Sequence, residues 1–305
     1  MIICLGTTPA VQRVMVFKKL ELGEVNRAVE VHQDVAGKSV NVAKVLAALQ
    51  KPVMATGFVG GERGEFIRGQ LDRRGIKHDF VRVGPQTRLC VTILDQGTET
   101  ITELVEESQG VEESAWDELL AIVSKLSRAQ MLILSGTLAG GARPAFYREC
   151  IESTQLPAIV DTQGQVLLES LKARPLVAKP NRKELGVALG LTIDTDSSLQ
   201  SAMIELVERG AKNAVITMGT EGAMAFDGRE FSYIASPKVE AVNSVGSGDA
   251  FTAGLAAALV DGQNLSEACR LGAACGAANA LTLIAGEVRQ EDVARLLEQT
   301  TVQRV

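Results

Sequence analysis

The sequence predicts an α/β fold: a mostly parallel central sheet with helices on both faces, and a second, smaller β-sheet. Two observations carry this. From Met131 to Met218, short β-branched runs alternate with helical stretches, the pattern of a parallel sheet joined by crossover helices. Four other extended segments, residues 13–17, 27–33, 88–95 and 100–106, do not alternate with helices and are assigned to the small sheet. The chain has 305 residues, 46% of them hydrophobic, ample for one large core with an attached unit.

In order, Met1–Leu5 reads as a first core strand and Gly6-Thr7-Thr8-Pro9 as a turn. After the first two small-sheet segments, Ala36-Gly37-Lys38-Ser39 opens a helix through Leu49. Gly-Lys-Ser suggests a nucleotide P-loop, but His32 stands where that motif requires its first glycine. Val53–Thr56 is a strand, and the glycine-rich 57–64 leads into a helix to Arg74. Its spacing loosely resembles a dinucleotide turn; a tight strand-to-helix turn explains it as well. A hairpin turns at Gln96-Gly97-Thr98, and Glu113–Leu126 is a helix.

Strands at 131–135, 158–161, 177–179 and 213–218 follow, with helices at 145–154, 166–172, 183–189 and 199–209. Residues 219–222 form a glycine turn at the carboxyl end of a strand, where ligands of such sheets bind. Extended segments 223–226 and 230–234 come next, then helices at 252–260, 265–283 and 290–298.

Composition narrows the function. A net charge of −6 without a basic block disfavours nucleic-acid or anionic-membrane binding. No apolar run reaches the length of a membrane span. The start lacks the features of a signal peptide, and five cysteines without a Cys-x-x-Cys pair suit a reducing cytoplasm. Only His32 and His78 are present, so a zinc site or a Ser-His-Asp hydrolase is poorly supported, and proton transfer falls to Asp, Glu or Lys.

The chemistry concentrates at Asn243-Ser244-Val245-Gly246-Ser247-Gly248-Asp249, directly before the small-residue helix 252–260. Unpartnered amides at a helix start, with glycines allowing close approach, make a seat for a phosphoryl group. Asp249 at its edge is a candidate base for an attacking hydroxyl. The same residues also suit an ordinary turn capped by Ser247 or Asp249.

Several stretches together resemble the ribokinase-like sugar kinases of the phosphofructokinase-B type, over nearly the whole length. They are Thr8-Pro9-Ala10-Val11, residues 36–42, 65–75, Thr87-Arg88, residues 134–138, Lys179-Pro180-Asn181-Arg182-Lys183-Glu184, residues 218–222 and residues 245–249. Within the family the chain most resembles the 1-phosphofructokinase and tagatose-6-phosphate kinase branch, and Thr87-Arg88-Leu89-Cys90 with residues 102–106 and Val242-Asn243 lean towards its tagatose-6-phosphate members.

The resemblance implies transfer of the ATP γ-phosphate to a hydroxyl of tagatose 6-phosphate, fructose 1-phosphate or fructose 6-phosphate. Asp249 would be the base, and Gly246, Ser247 and Gly248 would hold the phosphoryl group. Gln12, Gly37, Lys38, Asn41 and Arg88 would form the sugar-phosphate site. Asn181, Thr217, Gly219, Gly222, Gly248 and Asn279, the last near the adenine, would bind nucleotide. Glu184 would reach Mg2+ indirectly, and a monovalent cation is left open.

It further implies a β lid, residues 9–35 and 86–108, over a large α/β domain, residues 1–8, 36–85 and 109–305, in a homodimer pairing lid on lid. Departures stand at Gln12, where the family has an aspartate, and at Thr8, Ala36, Ser39 and Ala139, so the preferred sugar is less determined than the chemistry. The competing expectations are a same-fold kinase of an unphosphorylated sugar or nucleoside, a catalytically silent sugar or nucleotide sensor, and a nicotinamide enzyme built on residues 57–64.

Overall fold

The computed structural model describes residues 1–305. Seven strands form the parallel part of a large sheet: β1 (Ile2–Leu5), β4 (Val53–Val59), β5 (Lys77–Arg82), β8 (Met131–Ser135), β9 (Ala158–Asp161), β10 (Val177–Ala178) and β11 (Asn213–Thr217). Antiparallel β12 (Ala223–Phe226), β13 (Phe231–Ile234) and β14 (Val302–Arg304) extend one edge, giving the order β14-β13-β12-β11-β10-β9-β8-β1-β4-β5.

Strand alternation sorts the core into two layers. Ile2 and Cys4 belong to a cluster of 40 buried residues, Ile3 and Leu5 to one of 30 on the opposite face. The first is covered by α1 (Lys38–Ala48), α2 (Gly61–Arg73), α8 (Ser247–Val260), α9 (Leu265–Ala280) and α10 (Gln290–Gln299). The second is covered by α3 (Glu113–Ser124), α4 (Phe146–Thr154), α5 (Gly164–Leu171), α6 (Arg182–Leu189) and α7 (Asp196–Glu208). The fold is the ribokinase-like α/β arrangement that the sequence led us to expect.

After β1 the chain winds outward through β4 and β5, then returns to β8 on the other side of β1. That reversal leaves a crevice at the carboxyl ends of the strands. The ends of β1 and β8 are tied across it: Thr7 Oγ1 accepts from Ala139 N at 3.0 Å and donates to Thr137 O at 3.2 Å.

The second sheet has order β3-β2-β6-β7, from β2 (Ala10–Phe17), β3 (Glu30–Ala36), β6 (Arg88–Asp95) and β7 (Thr100–Val105). Its inner face turns to the large sheet: Val14, Val16 and Leu94 pack on Leu283 and Ile284. Arg88, Cys90, Gln12 and Thr92 share that face, by register.

Several boundaries differ from the sequence reading. β4 continues to Val59, because Gly57 lies inside the strand against the β1 end. A Cβ there would lie within bonding distance of Gly6 O, at a φ of +153°. The glycines at 57–64 thus serve packing and the start of α2, which gives no dinucleotide turn. β5 and β14 carry strongly polar sequences and escaped detection. The closing half of the 265–283 segment stops at Ala280, where Val242 N and Asn243 N bond Ala280 O.

Candidate active site

The phosphate-seat turn differs from its sequence reading in one respect: α8 begins at Ser247, so Ser247, Gly248 and Asp249 are its first turn rather than a loop before it. Gly246 is the N-cap with φ +85°, and no side chain caps the helix. Ser247 N donates to Ser244 O at 3.2 Å, and the amides of Gly248 and Asp249 are left for a ligand, at the positive end of the helix dipole. Gly246 also has no room for a side chain, since a Cβ would come within 3.0 Å of Gly286 N.

Asp249 is buried, and its Oδ2 accepts from Asn41 Nδ2 at 2.8 Å. Burial pushes its pKa up, and the Asp161 charge adds to that. Lys38, Asn41 and Lys179 counter only in part, leaving it at about 7. Such a carboxyl can take a proton at neutral pH.

Below it sits a charge cluster. Asp161, at the carboxyl end of β9, is fully buried. Its Oδ1 accepts from Lys38 Nζ at 2.9 Å, and its Oδ2 from Thr252 Oγ1 at 2.8 Å, with Lys179 Nζ at 3.0 Å. Burial works against this charge, but Lys179 and Lys38 outweigh it and hold the pKa far below the carboxylate range. Lys38 Nζ also reaches Glu184 Oε1 at 3.2 Å. Burial opposes the charge on Lys38, yet the Asp161 and Glu184 carboxylates raise its pKa above the usual lysine value.

Glu184 is oriented by a capping box at the start of α6. Its Oε2 accepts from Asn181 N and Asn181 Oδ1 accepts from Glu184 N, both at 2.8 Å. Asn181 bridges Thr217 in parallel, which sets α6 beside the end of β11. There Gly219 (φ +62°) and Gly222 (φ +100°) enclose a single 3-10 turn.

The structure therefore brings Asp249, Asn41, Lys38 and Glu184 into one connected cluster, with Asn181 attached through its cap. Gly37, at φ +101°, starts α1 against Pro9. Gln12 and Arg88 stand on the second sheet and make no bond to this cluster. Gln12 Nε2 donates to Thr92 Oγ1 at 2.9 Å and its Oε1 is buried without a partner; Arg88 Nε donates to Thr8 O at 3.2 Å.

Asn279 lies beneath the turn rather than on an open surface. Its Nδ2 donates to Val245 O at 2.9 Å and Ser247 Oγ at 3.3 Å, and its Oδ1 accepts from Gly286 N at 2.7 Å. Its amide is committed to holding backbone.

Sequence reasoning missed Asp161, Lys179 and Thr252 as site residues. The signal for Asp161 was its place as the last residue of a parallel strand, where side chains face the crevice. Lys179 lay inside a stretch already singled out, directly before Pro180-Asn181.

An anion seat at a helix start, a neutralisable carboxyl and two buried-side cations on an α/β crevice define a phosphotransferase with an alcohol acceptor. The pfkB family carbohydrate kinase profile matches residues 1–288. The chain belongs to that family. It is 32% identical to the 1-phosphofructokinase of Borreliella burgdorferi over 309 residues, spanning 100% of this chain and 99% of the relative.

In fold it superposes on Escherichia coli phosphofructokinase-2 in complex with potassium, with TM-score 0.91, 23% identity and 98% of each chain covered. Another structure of that protein is a tetrameric inhibited form. Arabidopsis thaliana ribokinase complexed with ribose and ATP superposes with TM-score 0.78 at 21% identity, over 97% of this chain and 98% of that one. No helix is long and apolar enough to cross a membrane.

Proposed function

We propose that the protein transfers the γ-phosphate of ATP to a hydroxyl of a sugar phosphate. The observation that carries this reading is Asp249: a buried carboxyl near neutral pKa, one residue beyond the phosphate-seat glycine and held by Asn41. The acceptor O–H gives its proton to the Asp249 carboxylate as its oxygen bonds the γ-phosphorus, and the bond to the ADP oxygen breaks. The amides of Gly246, Ser247 and Gly248 receive the charge on the transferring group. Lys38 neutralises it from the side of β9, while Lys179 holds Asp161 behind it. Thr217, Gly219 and Gly222 border the nucleotide, and Asn279 serves it by fixing the turn.

Asp161 and Glu184 already share one cation, Lys38, at 2.9 and 3.2 Å. Asp161 is buried with both oxygens held by lysines and Thr252, so Glu184, at the crevice, is the carboxylate that would hold Mg2+, indirectly through the waters the ion keeps, its other ligands coming from phosphates. Bound there, it would supply charge neutralisation to the phosphate oxygens.

Arg88, Gln12, Gly37 and Asn41 surround the acceptor, with Arg88 as the cation for its phosphate because a planar fork binds two oxygens. The 1-phosphofructokinase relative favours fructose 1-phosphate over fructose 6-phosphate and tagatose 6-phosphate. The small sheet acts as a lid that excludes water during transfer, and its outer face pairs two copies into a homodimer. An ADP-release assay with ATP, Mg2+ and each of the three sugar phosphates, with fructose as control, tests this. Fastest turnover on fructose 1-phosphate is expected; no turnover on any sugar phosphate overturns the reading.

A further inference from the structure

The lid and the phosphate seat meet through one short segment, residues 283–286. Lid residues Val14, Val16 and Leu94 rest on Leu283 and Ile284. Leu283 O accepts from Asn243 Nδ2 at 2.9 Å, and Gly286 N donates to Asn279, whose amide holds Val245 and Ser247. Gly286 also abuts α1: a Cβ there would lie 2.7 Å from the Cα of Asn41, the residue that holds Asp249.

Lys44, one turn further along α1, grips both sides. Its Nζ donates to Asp34 Oδ2 of lid strand β3 at 2.7 Å, to Val35 O at 3.1 Å and to Ala285 O at 2.7 Å. The Lys44 side chain is 3% exposed and that of Asp34 7%. Arg74 Nη2, 2.7 Å from Asp34 Oδ1, fixes the same carboxylate from α2.

A buried ion pair is poor value for stability, since apolar residues of the same volume often serve as well. Its directional bonds instead specify one arrangement. Here three bonds from a single ammonium, two to β3 at Asp34 and Val35 and one to Ala285, fix the lid strand and the segment under the phosphate seat relative to one another. No apolar side chain reproduces that.

We propose that Lys44 is a positioning residue that couples lid closure on the acceptor to the geometry of the 245–248 turn, through Ala285 and Gly286. It touches no substrate. Closure of the lid moves Asp34, Lys44 carries the displacement to Ala285 O, and Gly286 passes it to Asn279 and the turn. The seat is then complete only when an acceptor is held. ATP bound without acceptor meets a seat that is not fully formed, which limits transfer to water.

The inference rests on the kinase reading. Its test compares wild type with Lys44→Met, using the best sugar phosphate from the turnover screen and amide hydrogen exchange without nucleotide. In wild type, the sugar phosphate should slow exchange both in the lid strands and at residues 243–248. In Lys44→Met the lid should still be protected while protection at 243–248 is lost. Its kcat should fall about 10–100-fold, as misplacement by an ångström does, with KM for ATP within about twofold. Lys44→Arg should restore part of both effects, which mere packing would not require.

Persistent protection at 243–248 in Lys44→Met, or none there in wild type, overturns the proposal. If Lys44→Met does not fold, Asp34→Asn takes its place with the same two readouts. A wild type that phosphorylates no sugar phosphate rejects the kinase reading itself. A wild type that does, beside a Lys44→Met that behaves identically, rejects only the coupling.

Discussion

Asn41 Nδ2 lies 2.8 Å from Asp249 Oδ2, and these two residues are 208 positions apart in the chain. The contact joins the start of α1 to the first turn of α8 and favours the charged form of the carboxyl proposed to receive the acceptor proton. Asp249 must be ionised to act, so kcat/KM should climb with pH to a plateau above about 7. Asn41→Leu removes the one side-chain donor that favours the charged form. The rising limb should then move to higher pH, with the folded protein intact by circular dichroism. An unmoved limb would show that another group sets it.

Asp249 also places a cost on stability, and its sign is definite. The folded chain keeps this proton up to about pH 7, while the unfolded chain releases it near pH 3.8. Between those values folding takes up a proton, so stability falls as pH rises, and the loss is complete above pH 7. Asp249→Asn abolishes that dependence. The variant should lose at least about 10²-fold in turnover. Its Tm should exceed that of wild type by a wider margin at pH 8 than at pH 5. Equal margins at the two pH values, measured by calorimetry, would contradict the assignment.

The two lysines on Asp161 should separate stability from activity. Lys179 is 3% exposed and Asp161 1%, so Lys179→Met strands a buried charge and should cost about 3–5 kcal/mol. Lys38 is 34% exposed and sits at the crevice. Lys38→Met leaves Asp161 its Lys179 partner and should lower Tm less than Lys179→Met does, while lowering turnover by about 10² or more, because the cation proposed to face the transferring group is lost. Urea unfolding beside steady-state kinetics reads both. A reversed order would place Lys179, not Lys38, in contact with substrate.

The frame of the fold was legible because parallel strands buried on both faces read as apolar runs, as Ile2–Leu5 and Met131–Ser135 do. β5 was not, since Lys77-His78-Asp79 at the sheet edge carries no such run. The start of α8 was misplaced because glycine and serine read as turn residues although their backbone is helical. At the site, Asp249, Asn41, Lys38, Glu184 and Asn181 were singled out in the sequence and stand together in the fold, whereas Gln12 and Arg88 stand apart on the small sheet. Asp161 and Lys44 were not singled out: a buried charge is recognisable only by its partners. Some of these are far off in the chain, Lys38 lying 123 residues from Asp161 and the Ala285 carbonyl 241 from Lys44. Asn279 shows the converse, a motif match whose amide the fold has already committed to Val245, Ser247 and Gly286.

The lid's outer face gives the last prediction. Strand register places Val31, Met15, Ile93 and Thr102 in one row across it, and Gln33, Arg13, Val91 and Leu104 in the next. Val31 and Leu104 are each 54% exposed and Val29 is 49% exposed, on the face turned away from the large sheet. A small sheet with one apolar face uncovered is marginal by itself and gains by burying that face. Two copies applying this face to each other bury like against like about a twofold axis. Leu104→Glu puts a carboxylate from each copy into that contact, where it is desolvated without a partner. Light scattering after gel filtration should give a dimer mass for wild type and a monomer mass for Leu104→Glu at the same concentration. The monomer should bind ATP as wild type does, because the nucleotide residues lie on the large sheet, while its KM for the sugar phosphate rises as the lid loses its support. A wild type that is monomeric at tens of micromolar leaves this face with another use.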